Sequence, residues 1–528
     1  MKGNFKGQSP SKRLGLSGRE LERLRRHLVP SPQPRARRLE PAVDPSELLE
    51  TLVARGGSHA QVTLLDSGGP CGKNARWKIL AAMPLASLSS TGRQIRLRDA
   101  EGHQVYEGDG DALEWLGTMA KWLGPPPRAF PGPMAGGLVF SLAHEWFRLQ
   151  EPSVESHAPD GADLSARLYG VVLAYDRQTQ QSYLYEWRPG ASKPLAREFT
   201  SKRGQPKPTG DPPLRPTGMT ANLRRLPETL RSSFSSPAYQ DSVERIRTAI
   251  RAGEAYEVNL TQRLSIPEPR SLPTLYRRLR ELSPAPFAAY ADLPDRTILS
   301  SSPERFLLHR AGVLESRPIK GSRPRSRDPR EDKALARALL ESPKDRAENV
   351  MICDLVRNDL GRIATSGSVV VRALCELESH PGLHHLVSTV EARLAPNRTP
   401  TDALRAAFPP GSMTGAPKIR ACQLIHELEP VARGAYAGAI GYLDPRGNLD
   451  TSVLIRAFVS TPHATTLGVG GAVTWDSCPL DEYNESLDKA RLPLEAAGLW
   501  GKFPDRSQPW ATSSGRTHQR SAKEPAPR

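Results

Sequence analysis

The chain has 528 residues, 38% of them apolar, enough for two or three average domains or one large layered domain with a sizeable core. Its formal charge is +16, but residues 1–40 hold eleven Lys/Arg against three Asp/Glu and residues 501–528 add about +4, so the globular middle keeps only about +4. Charge gathered at Pro/Ser-rich ends reads as solvated tails, and no nucleic acid is expected as a partner. No apolar run approaches the roughly 18 residues of a membrane span. The basic N-terminus lacks the apolar segment of a secretory signal. The five cysteines form no CxxC pair and no disulfide framework. A cytoplasmic protein without a membrane partner is expected.

Residues 1–45 are expected to be a disordered basic extension, apart from a short helix at 19–27. From 46 to 187 the pattern is mixed. Residues 62–65 and 168–174 read as strands, and Gly136-Gly137-Leu138-Val139-Phe140 as a buried one. Residues 111–122 predict a helix, with Leu113, Leu116 and Met119 on one face. Residues 188–231 are Pro/Gly/Lys/Arg-rich and read as a linker. A denser region spans 232–500. There Pro237 opens a helix with Val243, Ile246 and Ile250 on its apolar face, and Gly253 closes it. A strand at 254–264 follows, then helices at 345–360, 418–428 and 480–492, the last ended by Pro493. Residues 501–528 are expected to be a disordered basic tail.

Lys320 lies in Arg317-Pro318-Ile319-Lys320-Gly321-Ser322-Arg323, sixteen residues after Glu304. Nearby arginines and burial both lower a lysine pKa, and a neutral lysine is a nucleophile for which a glutamate can move protons. The other reading is an arginine-rich surface loop. Glu348 lies on one face of its helix with Ile352 and Leu355. Glu482, Glu485 and Lys489 share a face of theirs, either an exposed charged stripe or, for Glu485 with Glu348, oxygen ligands for Mg²⁺. Thr414, in the turn-rich stretch before the helix at 418–428, suits an anion at a helix entrance or an ordinary helix start. Gly468-Val469-Gly470-Gly471-Ala472 brings backbone N–H groups close to a carboxylate or makes a tight turn. His380 and His384 have HxxxH spacing, but Pro381-Gly382 interrupts any helix between them, and no zinc site is expected.

Many motifs between residues 237 and 495 occur in an order that resembles the chorismate-utilising family. They include Tyr256-Glu257-Val258-Asn259-Leu260-Thr261, Ser302-Pro303-Glu304-Arg305-Phe306, Pro318-Ile319-Lys320-Gly321, Glu348-Asn349-Val350-Met351, His385-Leu386-Val387-Ser388, Thr414-Gly415-Ala416-Pro417-Lys418 and Ile455-Arg456. That family includes the large subunits of anthranilate and aminodeoxychorismate synthases, with isochorismate and salicylate synthases. The resemblance implies an α/β (α+β) fold: a large layered β-sandwich of mostly antiparallel sheets with helices packed outside.

It also implies roles. Lys320 attacks chorismate at C2 while Glu304 helps the C4 hydroxyl leave. Glu348 and Glu485 hold Mg²⁺. Tyr436, Arg456, Gly470 and Lys418, together with Gly471, Thr414 and Lys489, hold substrate carboxylates. His385 matches a family active-site histidine. Anthranilate synthases usually carry alanine at the position of Lys320, so the lysine resembles aminodeoxychorismate synthases. These make 4-amino-4-deoxychorismate on the way to 4-aminobenzoate and folate, using ammonia from a separate class I glutamine amidotransferase subunit. Anthranilate synthase is the alternative. Leu64-Leu65-Asp66-Ser67-Gly68 falls where some members carry an effector-binding segment. Glu257 stands where glutamine or lysine is frequent, Ser322 replaces a threonine and Ala472 a glycine.

Overall fold

The computed structural model describes residues 14–56, 61–69, 72, 74–127, 130–158, 160–195, 230–380 and 382–500. Among these, 22 strands join in one hydrogen-bonded network whose pairings are antiparallel. The short apolar run forms Gly137–Leu142, buried along its whole length. Such a strand, covered on both faces, reads as continuous hydrophobicity instead of alternation.

One path through the network positions the site. It begins at Glu257–Ile266, which pairs with Thr465–Val473. It continues through Ala457–Ser460, Thr297–Ser302 and Phe287–Asp292. Thr63–Asp66, Trp77–Thr91, Leu164–Asp176 and Gly137–Leu142 follow. The path returns through Ala439–Leu443, Leu449–Val453, Arg305–Arg310 and Val313–Ser316 to Leu383–Arg393. That last strand carries Ile319–Pro324 and Val370–Ser379 as further partners. Glu257 on the first strand nevertheless contacts Lys320 near the end of the path. The sheet therefore folds back on itself, and the site lies where its two ends face each other.

The regions expected at 46–187 and 232–500 share this sheet. Thr63–Asp66 and Gly137–Leu142 each stand between strands of both. The largest core lies between the strands and helices Ala112–Ala120, Pro343–Gly361 and Pro400–Ala407, with Trp115, Phe140 and Phe408 essentially fully buried.

The short helix expected at 19–27 is present, and beyond it the described part of residues 1–45 is ordered where disorder was expected. Gly18–Leu28 is a helix whose Ser17 and Glu20 form a reciprocal cap, and Arg35–Leu39 pairs with Gln181–Glu186. Leu28 and Val29 are buried, which ties the helix to the core despite its basic outer face. Residues 1–13, most of the expected linker and the expected C-terminal tail lie outside the described residues. The last helix runs Pro479–Ala496 and passes through Pro493, where an end was expected. Leu494 and Ala496 pack into a second core cluster, and that burial offsets the hydrogen bond the proline removes.

Candidate active site

Lys320 stands on a bulge. Ile319 pairs with Val387 and Ser322 with His385, so Lys320 and Gly321 together oppose Leu386 alone. Gly321 takes φ +84°, a conformation that favours glycine. A side chain there would also meet Asp345 Cβ at 2.9 Å.

The surroundings of Lys320 are acidic, which corrects the expectation of a lysine kept neutral by arginines. Its Nζ donates to Glu257 Oε1, and both side chains are buried. Arg317 pairs with Glu378 and Arg323 with Asp345, 2.7 Å away, so their charges are compensated elsewhere. Burial works to lower the Lys320 pKa, but Glu257, Glu348 and Glu304 outweigh it and raise the value above that of a free lysine.

Glu304 is buried beside this group. Desolvation pushes its carboxyl up to about 7, opposed by a hydrogen bond from Ser412 and by the charges of Lys320 and Arg456. Ser412 Oγ donates to Glu304 Oε1 at 2.6 Å. Arg456 is held at φ +49°, and burial lowers its pKa to about 10. Among the described residues no carboxylate lies within ion-pair distance of its guanidinium. A guanidinium without an ion pair among the described residues, on strained backbone, has its donors free for an anion. His385 is buried and bonded through Nδ1 to Ser322 Oγ at 2.6 Å. Burial first, then Arg456, push its pKa well below the usual value, which favours the neutral ring.

The carboxylates gather opposite. Glu348 lies on Pro343–Gly361, and burial pushes it up to about 7. Glu485 lies on Pro479–Ala496, lowered first by Lys489, whose Nζ is 2.8 Å away. Lys344 Nζ lies 4.0 Å from Glu348 on its own helix and 3.8 Å from Glu482 on the other. Sequence reasoning missed Glu482 by assigning it to an exposed stripe. It is buried, with Ser477 donating to one oxygen at 2.6 Å and the other oxygen without a hydrogen-bond partner. Its i,i+3 spacing from Glu485 fits a solvated stripe and a buried one alike, so the sequence carried no signal that decides between them.

Gly470 and Gly471 differ in use. Gly470 accepts from Lys489 Nζ at 2.9 Å. A Cβ on Gly471 would stand 3.1 Å from Glu482 Oε2, 3.6 Å from Lys489 Nζ and 3.7 Å from Glu485 Oε1, so glycine leaves that space to a ligand. The donor set beside Gly471 is of the hard oxygen type that suits a divalent cation: Glu482 Oε2 is buried with no hydrogen-bond partner among the described residues, and Glu485 Oε1 lies across the same space.

Three expected substrate ligands sit less directly. Lys418 donates to Asp359 Oδ2, the Ala407 carbonyl and the Pro409 carbonyl at 2.7, 2.8 and 2.9 Å. Its three protons are spent inside the protein, which corrects its assignment to substrate: it clips the turn that carries Ser412. The Thr414 hydroxyl bonds back to the Pro410 and Gly411 carbonyls, and Thr414 accepts from Asn259 N through its own carbonyl at 2.9 Å. Tyr436 is buried with its ring under Gly468, where a Cβ would lie 2.2 Å from the ring. Apart from this site, a cavity of about 180 Å³ is lined by Leu65, Asp66, Ser67, Arg305 and Tyr442, beside the segment where the resemblance places an effector.

Residues 71–495 match the family of chorismate binding enzymes. The chain is 44% identical over 435 residues to aminodeoxychorismate synthase component 1 of Escherichia coli (strain K12), covering 82% of this chain and 92% of that one. It is 44% identical over 412 residues to an aminodeoxychorismate synthase of Streptomyces pristinaespiralis, covering 76% of this chain but only 56% of that relative's length. The crystal structure of anthranilate synthase component I from Streptococcus pneumoniae superimposes with a TM-score of 0.67 at 28% identity, covering 80% of this chain and 93% of that one. With the mixed antiparallel fold and the matched span together, the chain belongs to the chorismate binding enzyme family.

Proposed function

We propose that the chain is an aminodeoxychorismate synthase component 1, converting chorismate and ammonia to 4-amino-4-deoxychorismate and water. One observation carries this reading: a buried lysine on a bulge, in contact with one carboxylate and facing two more. A lysine so placed has both an acceptor for its proton and a fixed direction of attack.

Lys320 gives its proton to Glu257, and the freed Nζ bonds to C2 of chorismate as the C4–O bond breaks. Glu304, with a carboxyl near 7, supplies the proton with which the hydroxyl leaves as water. Ammonia then bonds to C4 while the C2–Nζ bond breaks, and the proton shed by the new C4 ammonium returns to the site. Arg456 receives a substrate carboxylate, and His385 donates or accepts as a neutral ring. Glu348, Glu482 and Glu485 would hold Mg²⁺, which supplies a dication to neutralise and anchor a substrate carboxylate.

A second component supplies the ammonia. The relative from Escherichia coli is named component 1 and is matched over 92% of its length, whereas the longer Streptomyces pristinaespiralis relative is matched over 56%. The name component 1 supports a partner component, which we assign as a class I glutamine amidotransferase. Anthranilate synthase component I is the second reading, supported by the likeness to the Streptococcus pneumoniae structure. Lysine instead of alanine at 320 weighs against it. Incubation with chorismate, Mg²⁺ and an ammonium salt separates the two. Product of the 4-amino-4-deoxychorismate type supports the first, and fluorescent anthranilate with pyruvate supports the second.

A further inference from the structure

The bulge that presents Lys320 leaves backbone groups without ladder partners, and a single side chain takes them up. Asn349, on the same helix as Glu348 and almost completely buried, donates through Nδ2 to the Leu386 carbonyl at 2.9 Å and to the Lys320 carbonyl at 3.4 Å. These carbonyls belong to the two sides of the bulge. On its other side, Asn349 Oδ1 accepts from Ser388 Oγ and faces Cys375 Sγ at 3.7 Å.

A second irregularity begins there. Ala373 pairs with Thr389 and Glu376 with Val387, so Leu374 and Cys375 together oppose Ser388. Cys375 takes φ +53°, and its N–H turns to Ser388 Oγ at 3.0 Å. Asn349 thus joins two bulges on opposite edges of Leu383–Arg393. One of them carries Lys320. The same helix meets the Lys320 bulge again at Asp345, under Gly321.

We propose that Asn349 is a positioning residue for Lys320: by satisfying the carbonyls that the bulge frees, it fixes the lysine strand to the helix that carries Glu348. Nucleophile and cation-binding carboxylate are then set relative to each other by one amide. Two geometric facts support this. The amide reaches both strands of the irregular pair, and its acceptor side is anchored independently by Ser388. Removal of Nδ2 leaves two buried carbonyls to find other donors, and the bulge relaxes toward a regular ladder that turns Lys320 aside. The inference rests on Lys320 being the nucleophile.

Asn349→Asp keeps the shape and the acceptor for Ser388 but removes the donor, and Asn349→Ala removes both. Both variants are assayed with chorismate, Mg²⁺ and ammonium salt, and the chorismate-derived adduct on Lys320 is measured by mass after acid quench. For both variants kcat is expected to fall on the order of 100-fold, while KM for chorismate and the Mg²⁺ concentration for half-activation change less than about threefold. Adduct yield falls with kcat. Wild-type kcat, or normal adduct formation, in Asn349→Asp overturns the positioning role alone. Loss of kcat together with chorismate binding, Mg²⁺ response and melting temperature also overturns it, because the residue then only holds the helix. Absence of adduct in the wild-type protein, with full activity in Lys320→Ala, overturns the nucleophile reading and the inference together.

Discussion

The Lys320 ammonium lies against the Glu257 carboxylate, with both side chains buried and the second Glu257 oxygen without a hydrogen-bond partner. Each charge is tolerated in the interior because the other is present. Glu257→Ala is expected to lower the unfolding free energy by about 3 kcal/mol, since it leaves an uncompensated buried ammonium. The double variant Glu257→Ala, Lys320→Met is expected to recover most of that loss. Denaturant unfolding of the singles and the double checks this. Additive losses would mean that the pair is not coupled.

Glu304 and Ser412 make a pH prediction. A group that protonates a leaving hydroxyl works only while it holds its proton. Activity in kcat/KM therefore falls as pH rises through about 7, where burial has pushed the Glu304 carboxyl. The Ser412 hydrogen bond favours the anion, so it lowers this pKa. Ser412→Ala raises it, and the fall in activity moves to higher pH. A pH–rate profile that stays in place or moves to lower pH contradicts the link.

If the carboxylates of Glu348, Glu482 and Glu485 hold Mg²⁺ as proposed, stability is tied to cation binding. Glu482 Oε2 is buried without a hydrogen-bond partner, which costs the free protein. Glu482→Gln is expected to raise the melting temperature without Mg²⁺ and to reduce the rise that Mg²⁺ produces. Glu348→Gln and Glu485→Ala are expected to reduce that rise as well. Differential scanning with and without Mg²⁺ reads both effects. An undiminished Mg²⁺ response in all three would remove these residues from the cation site.

Arg456 joins strain to binding. It holds positive φ and, among the described residues, a guanidinium without an ion pair, two features that weigh against the free protein. Arg456→Gly is expected to keep or raise the melting temperature while KM for chorismate rises roughly 10- to 100-fold, the equivalent of about 1.5–3 kcal/mol for a charged hydrogen bond. A lower melting temperature with unchanged KM would mark Arg456 as structural.

Much of the fold was legible because local signals agreed with burial. The helix at 418–428 was read at its true bounds, Lys418–Leu428, since a proline-marked entrance and a regular apolar face define it. Lys320, Glu304, Glu348 and Arg456 were legible through their motifs, and their side chains act on one another in the folded chain. The charge state of Lys320 was not. Sequence neighbours Arg317 and Arg323 turn to their own carboxylates, and Glu257, 63 residues away, decides the matter. Glu482 was misassigned because i,i+3 spacing cannot tell a solvated stripe from one facing another helix. Lys418 was misassigned because the carbonyls that consume its protons become neighbours only through the turn at 407–417.

The most direct test of the central claim is mass mapping of Lys320 after acid quench of the protein with chorismate and Mg²⁺, compared with product formation by Lys320→Ala in ammonium salt. The expected result is a chorismate-derived adduct, less one water, on Lys320 in the unmodified chain, and a large loss of 4-amino-4-deoxychorismate in the variant. No adduct, with 4-amino-4-deoxychorismate made by Lys320→Ala at the undiminished rate, would contradict it.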